Sequence, residues 1–182
     1  KNNKPFVLAV VGPTASGKTR LAALLAAARG SEILSADSRQ VYRRMDLGTG
    51  KDLSDFVVNG RQVPFHLIDI VDPDQEFSVF EYQQCFYKSF VEISSAGGSL
   101  PFLVGGTGLY LESVLLGYRM TRVPADPGFA RKLAGLDTIE LAERLRMAKP
   151  SVHNVTDLRD RERLIRAIEI AEYSWRGEPA LV

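Results

Sequence analysis

The segment Gly12-Pro13-Thr14-Ala15-Ser16-Gly17-Lys18-Thr19 satisfies the phosphate-loop pattern G-x-x-x-x-G-K-[ST] at every position. Such a loop works only between a strand and a helix, so it dictates its neighbours. Phe6-Val7-Leu8-Ala9-Val10-Val11 is an apolar run of buried-strand length, and Arg20 to Arg29, rich in Leu and Ala, predicts a helix. Peptide N–H groups of the loop and the positive end of the helix dipole then converge on one anion. In that arrangement Lys18 reaches the outer phosphates and the Thr19 hydroxyl ligates a magnesium ion, Mg2+. The feature specifies a phosphate-bearing ligand without saying which.

The rest of the chain alternates strand and helix signals. Glu32-Ile33-Leu34-Ser35 predicts a second strand that ends at Asp37-Ser38-Arg39-Gln40. Val57 to Val63 carries an Asn59-Gly60 turn between apolar residues, a hairpin signal. Phe65 to Val71 predicts a third core strand, closed by Asp72-Pro73. Ser78 and Glu81 have capping-box spacing before a helix whose apolar stripe is Val79, Tyr82, Phe86, Phe90 and Ile93, with Gly97-Gly98 at its end. Pro101 to Val104 predicts another buried strand, which runs into Gly105-Gly106-Thr107-Gly108, and Leu109 to Leu116 a helix stopped by Gly117. Alternation of this kind implies a parallel sheet.

After Gly117 the strand signals cease. Asp126-Pro127 reads as an N-cap with proline at the first helical position. Thr138 caps a helix over Ile139 to Met147 closed by Pro150, and Asp157 caps a longer one to Trp175 ended by Gly177. The expected fold is therefore α/β: a P-loop NTPase-like parallel sheet flanked by helices, with an appended helical subdomain. Residues 1–117 form the core and 118–176 the helical segment. Residues 177–182, with the apolar ending Ala180-Leu181-Val182, begin a truncated return to the core, so a piece of a longer chain is expected.

Charge separates the same regions: residues 1–118 carry a net −1, residues 119–166 a net +4 and residues 167–182 a net −2. A modestly basic helical segment beside a neutral core suits a polyanion or a solvated face. The single cysteine, Cys85, excludes an intrachain disulfide and a cysteine-built zinc site; on an amphipathic helix it reads as packing. No apolar run approaches the ~20 residues of a membrane span, and a cytoplasmic, membrane-free, monomeric protein is expected.

Several residues invite two readings. Asp37, at a strand's carboxyl end beside the phosphate loop, is a magnesium ligand or a base, or else a turn residue capping a helix. Asp69 in Leu67-Ile68-Asp69-Ile70-Val71 resembles a Walker B aspartate, although a strand-end hydrogen-bonding role is favoured. Asp72 reads as a turn residue. Gly105-Gly106-Thr107-Gly108 either lets backbone approach a ligand, with Thr107 donating a hydrogen bond, or is glycine-rich for steric reasons. Arg159, Arg161, Arg163 and Arg166 are phosphate contacts or, given Asp157, Asp160 and Glu162 among them, a salt-bridged surface helix.

Together, these motifs resemble the tRNA dimethylallyltransferase family. The likeness is carried by the phosphate loop, by Ser35-Ala36-Asp37-Ser38-Arg39-Gln40-Val41-Tyr42, by Met45-Asp46-Leu47-Gly48-Thr49-Gly50-Lys51, by His66-Leu67-Ile68-Asp69 leading to Asp72-Pro73, and by Leu103-Val104-Gly105-Gly106-Thr107-Gly108-Leu109-Tyr110. It implies transfer of a dimethylallyl group from dimethylallyl diphosphate to the exocyclic amine of the adenosine 3′ of a tRNA anticodon. Gly12, Thr14, Ala15, Ser16, Gly17, Lys18 and Thr19 would then cradle the diphosphate, with Mg2+ on Thr19. By the same resemblance Asp37 is the general base, with Lys18 and Thr107 joining it in catalysis. Ser38, Arg39, Gln40 and Thr107 stand near the target base, while Arg163 and Arg166 contact tRNA. The family pattern has a basic residue early in the helical segment where this chain has Ala130, with Arg131 adjacent, and family members are far longer. Alternatives with the same loop are an adenylate isopentenyltransferase of the cytokinin-forming type and a small-molecule kinase; a non-catalytic RNA-binding remnant is a third.

Overall fold

A computed structural model describes residues 6–96, 100–149 and 160–175. They divide between two compact units, Lys1–Arg119 and Met120–Val182.

The first unit is built on a parallel four-stranded sheet in the order β1-β6-β2-β5. Its strands are β1 (Leu8–Val11), β2 (Ile33–Ala36), β5 (Phe65–His66) and β6 (Phe102–Gly105). Ile33 is in register with Phe102 on one side and Phe65 on the other, and Leu8 with Phe102. The central strands β2 and β6 are buried at every residue, which is why both read as unbroken apolar runs. Their side chains alternate between two cores. Ile33, Phe102 and Val104 pack on Ala22, Ala23 and Ala26 of α1 (Lys18–Arg29). Leu34, Ala36 and Leu103 pack on Tyr82, Phe86 and Ile93 of α2 (Val79–Ser95) and on Tyr110 and Val114 of α3 (Gly108–Leu115). Helices thus cover both faces, as the alternating pattern requires.

Local signals explain most element ends. The Ser78–Glu81 capping box has both halves, with the Ser78 N–H donating to Glu81 at 2.7 Å. Asn59 and Gly60, both at positive φ, turn the short hairpin β3 (Val57–Val58) to β4 (Arg61–Gln62). Arg20 ties this hairpin to α1 by donating to the Val57 carbonyl at 2.6 Å.

The strand expected over Phe65 to Val71 is much shorter. β5 ends at His66 because Leu67 and Asp69 adopt left-handed φ values of 66° and 55°, which no ladder accommodates. Val71 then returns as a lone bridge to Tyr42.

In the second unit, α4 (Pro127–Leu133), α5 (Thr138–Ala148) and α6 (Arg161–Trp175) share a core of Leu133, Leu141, Leu145, Leu164 and Ile168. Asp126 caps α4 with Pro127 behind it. The cap of α5 is Asp137, not Thr138: its carboxylate accepts from the Ile139 and Glu140 amides, and Glu140 closes a capping box that Thr138 at the first helical position has no part in. At α6 the Asp160 carboxylate accepts from the Glu162 and Arg163 amides. The expected signals at Gly97-Gly98, Pro150, Asp157 and Gly177, together with Arg159, lie outside the described residues. Among the described residues no helix is long and apolar enough to cross a membrane.

Candidate active site

The strand order places three sequence motifs side by side. The phosphate loop follows β1, the Gly-Gly-Thr turn follows β6 and the Asp37 turn follows β2, so the middle strand carries the turn that touches the other two. A Cβ on Gly105 would lie 2.2 Å from the Ala36 carbonyl oxygen, and one on Gly106 would lie 3.1 Å from the Gly12 carbonyl. The steric reading of these two glycines is therefore correct: they let three strand ends meet. The Thr107 N–H completes the seam by donating to the Ala36 carbonyl at 3.1 Å.

A cleft opens along this seam, lined by Lys18, Thr19, Asp37, Gln40 and Gly105 over a floor that includes Ile33 and Val104. The loop that feeds it is wound through left-handed residues at Ala15 and Gly17, with φ of 61° and 77°. Gly17 is the N-cap of α1 and no side chain caps the helix there, so its first amides remain free to meet an anion. Thr14, Ala15 and Ser16 form the exposed crest of the loop, and Gly12 lies so close to Ser16 that a Cβ would stand 3.1 Å from its hydroxyl. Lys18 Nζ donates to the Pro13 carbonyl at 3.2 Å, folded back over its own loop.

Asp37 lines the same cleft. Its Oδ1 accepts from the Arg39 N–H at 2.9 Å, a local turn that leaves the second carboxylate oxygen for other partners. Thr107 is bonded to the same turn: its Oγ1 accepts from the Ser38 N–H at 3.0 Å and donates to the Ser38 hydroxyl at 3.4 Å. Thr107 therefore fixes the Asp37 turn from the neighbouring strand end. Beneath it, Tyr82 of α2 donates to the Ser35 carbonyl at 3.1 Å and stacks on Tyr110 with ring centroids 3.8 Å apart. Burial pushes both phenols well above their usual range, so these tyrosines stay neutral and serve as props. The apolar spacing of α2 marked Tyr82 as core; nothing in the sequence showed that its hydroxyl supports the strand end that bears Asp37.

Other expected residues have different surroundings. Asp69 faces Lys51, not the phosphate loop: Lys51 Nζ donates to Asp69 at 2.5 Å and to Asp46 at 2.9 Å. The hydrogen-bonding role favoured over a Walker B role is therefore the one observed. Burial acts to lower the Lys51 pKa, but the hydrogen bonds and charges of Asp69 and Asp46 outweigh it and hold the ammonium above its ordinary value. Asp72 pairs with Arg43 and Arg44 while its carbonyl closes a turn at Gln75. Cys85 is half-buried against the core, and burial pushes its thiol up, as befits packing. In the second unit Arg163 pairs with Asp160 at 3.4 Å, and Arg166 donates to Glu169 and to the Val123 carbonyl at 2.6 Å. Arg131 donates to the Pro127 carbonyl, within its own helix.

Known proteins share this arrangement. A family model described as IPP transferase matches residues 40–180, and one described as isopentenyl transferase matches residues 5–68. The tRNA dimethylallyltransferase 1 of Geotalea uraniireducens is 54% identical over 95% of this chain and 56% of its own length. The tRNA dimethylallyltransferase 1 of Geotalea daltonii is 58% identical over 92% of this chain and 53% of its own length. The chain thus spans a little over half the length of the curated relatives it matches. Among solved structures, the full-length tRNA isopentenylpyrophosphate transferase of Bacillus halodurans aligns over 97% of this chain and 57% of its own, with a TM-score of 0.60 and 37% identity. A eukaryotic dimethylallyltransferase acting on tRNA has the same fold, with a TM-score of 0.69 at 22% identity over 96% of this chain and 45% of its own.

Proposed function

The chain belongs to the IPP transferase family, and from that premise we propose that it carries the catalytic half of an enzyme that moves a dimethylallyl group from dimethylallyl diphosphate to the exocyclic amine of an adenosine in tRNA, next to the anticodon. The observation that supports this most directly is that one small pocket is lined in common by Lys18 and Thr19 of the anion cradle and by the Asp37 carboxylate. Departure of diphosphate and deprotonation of an amine are the two tasks of such a transfer, and each has a wall of the cleft.

On the cradle side, developing charge on the leaving diphosphate meets the free amides of α1 and the Lys18 ammonium, which turns away from Pro13 to reach it. On the other side, Asp37 accepts the amine proton as the carbon–nitrogen bond forms, since adenine's amine is a poor nucleophile until it loses that proton. Thr107 keeps Ser38 and hence Asp37 at a fixed distance from the cradle. The target base leaves its stack to enter the cleft, at a cost of a few kcal/mol. Ser38, Arg39 and Gln40 stand beside it, and Arg163 and Arg166 belong to the surface that receives the rest of the tRNA.

The donor set suits Mg2+. The cleft offers hard oxygen atoms, the Thr19 hydroxyl and Asp37, and among the described residues there is no cluster of three His, Cys, Asp or Glu able to cage a metal. Magnesium takes few protein ligands and completes its shell with phosphate oxygens and water. Bound there through Thr19, it supplies charge neutralisation for the diphosphate.

The test is thermal stabilisation, which needs no turnover. Dimethylallyl diphosphate or pyrophosphate with magnesium is expected to raise the melting temperature more than ATP does, and Lys18→Ala to remove most of that rise. Equal stabilisation by ATP accompanied by phosphate transfer would favour a small-molecule kinase instead.

A further inference from the structure

Met45 to Lys51 is a motif to which the proposed chemistry assigns no task, yet Lys51 has the most completely used ammonium among the described residues. Its side chain is 1% exposed. Nζ donates to the Tyr42 carbonyl at 2.8 Å, to Asp46 at 2.9 Å and to Asp69 at 2.5 Å. Three donors meet three acceptors, so no N–H is wasted. A buried ammonium is tolerated only when paired in this way.

The partners lead back to the cleft. Tyr42 closes the segment that begins at Asp37, and Lys51 grips its carbonyl directly. The residue Lys51 holds by its carboxylate, Asp69, sits at a left-handed φ of 55° and donates its own N–H to the Gln40 carbonyl at 3.0 Å. The next amides, of Ile70 and Val71, donate to the Val41 carbonyl. Gly50, adjacent to Lys51, accepts from the Gln40 side chain at 3.3 Å. Gln40, Val41 and Tyr42 are thus each held by Lys51 or by a residue beside one of its contacts. Thr107 holds the start of the same segment at Ser38. Gln40 lies between the clamps, and Asp37, the segment's other cleft-lining side chain, immediately precedes the first of them.

We propose that Lys51 is a positioning residue for the Asp37 turn: it fastens the end of residues 37–42 to the Asp69 loop, so that Asp37 keeps its place opposite the phosphate cradle. The catalytic part of this statement rests on the transfer reaction proposed above; the fastening does not. A lysine suits the task because a compact charge on a long stem reaches two carboxylates and a carbonyl from a loop that is otherwise exposed. Arginine's planar fork keeps the charge but not the three-way geometry.

Hydrogen–deuterium exchange on Lys51→Met and Lys51→Arg tests the fastening directly. In Lys51→Met, exchange of the amides that join the two segments, those of Arg43 and of Asp69, Ile70 and Val71, is expected to accelerate at least ~10-fold, while α1 amides keep their wild-type rates; Lys51→Arg recovers part of the protection. Should Lys51→Met fail to fold, Asp46→Asn, which changes a partner that is 68% exposed, gives the same pattern at smaller amplitude. In the complete protein, single-turnover transfer by Lys51→Met should fall ~10–100-fold with pyrophosphate affinity within about two-fold of wild type. Unchanged exchange at residues 43 and 69–71, or equal acceleration in α1, overturns the proposal. A wild-type protein that binds pyrophosphate but transfers no prenyl group overturns the reaction instead, and the exchange data still decide what Lys51 holds.

Discussion

Two single residues are expected to have different consequences when changed, because one is proposed to meet the reacting groups and the other makes room for backbone. Asp37→Asn preserves the shape of the turn, since the amide oxygen still accepts the Arg39 N–H. It removes the basic carboxylate, so the single-turnover transfer rate of the complete enzyme is expected to drop by about 10²–10⁴-fold. Diphosphate affinity changes much less, because Lys18 and the loop amides are untouched. If affinity falls first and added magnesium rescues it, Asp37 acts through the metal; near-normal turnover returns it to a turn residue. Gly105→Ala has no bearing on proton transfer. Its methyl group collides with the Ala36 backbone at 2.2 Å, and backbone cannot step aside as a flexible side chain does. Chemical denaturation should show a loss of about 1–3 kcal/mol or more, the usual cost of forcing atoms into a filled core. Gly106→Ala, whose Cβ would stand 3.1 Å from Gly12, should cost less in stability and more in pyrophosphate affinity, because the displaced neighbour is the phosphate loop itself.

At the scale of elements, two arginines of helix α6 proposed to contact tRNA differ in their surroundings. Arg163 is exposed and pairs with Asp160, whereas Arg166 is half-buried and holds the Val123 carbonyl. Arg163→Ala is expected to weaken tRNA binding and to lower the salt dependence by about one counterion. Arg166→Ala should cost about 1–3 kcal/mol of stability or more, since Val123 loses its donor and the buried Glu169 carboxylate loses its partner. Unchanged tRNA affinity in both variants would make this face an ordinary solvated one. The elements themselves were largely legible beforehand. Binary alternation and the phosphate loop set β1, α1, β2 and β6, and side-chain caps at Ser78 and Asp126 are short-range rules that survive folding. Two places differ from the sequence expectation, one through local competition and one through a distant contact. Asp137 and Thr138 are both good caps, and the one with Glu140 in capping-box position prevails. Leu67 to Val71 has every local mark of a strand, yet Asp69 is drawn out of the ladder by Lys51, a contact between residues far apart in sequence. In the site, the motifs were readable but their contacts were not: no periodicity reveals that Thr107 grips Ser38 or that Tyr82 props Ser35.

For the molecule as a whole, the telling feature is how unevenly the first unit buries its apolar surface. β2 and β6 are covered on both faces, but β1 is an edge strand whose described residues pair only with β6. Val11 is 59% exposed and Phe6, just before the strand, is 52% exposed; on the helix that follows, Leu21, Leu24 and Leu25 are also exposed. Scattered apolar residues are ordinary, but five on one strand and the helix that follows it leave an unusual amount of exposed hydrophobic surface in a short stretch of chain. This chain is therefore expected to bind an environment-sensitive hydrophobic dye in its folded state, at temperatures well below melting. Replacing Leu24 and Leu25 with Gln and Lys should reduce dye fluorescence severalfold and leave stability within about 0.5 kcal/mol, because partly solvated side chains contribute little to the core. Pyrophosphate stabilisation should be retained, since the α1 residues proposed to meet the anion, Lys18 and Thr19, lie in the helix's first turn. The same titration on a protein of the relatives' full length measures how much of this edge the additional chain covers. Dye binding that persists in the Leu24 and Leu25 variant would move the exposed surface elsewhere in the molecule, and an unfolded or strongly destabilised variant would show that these leucines are core residues after all.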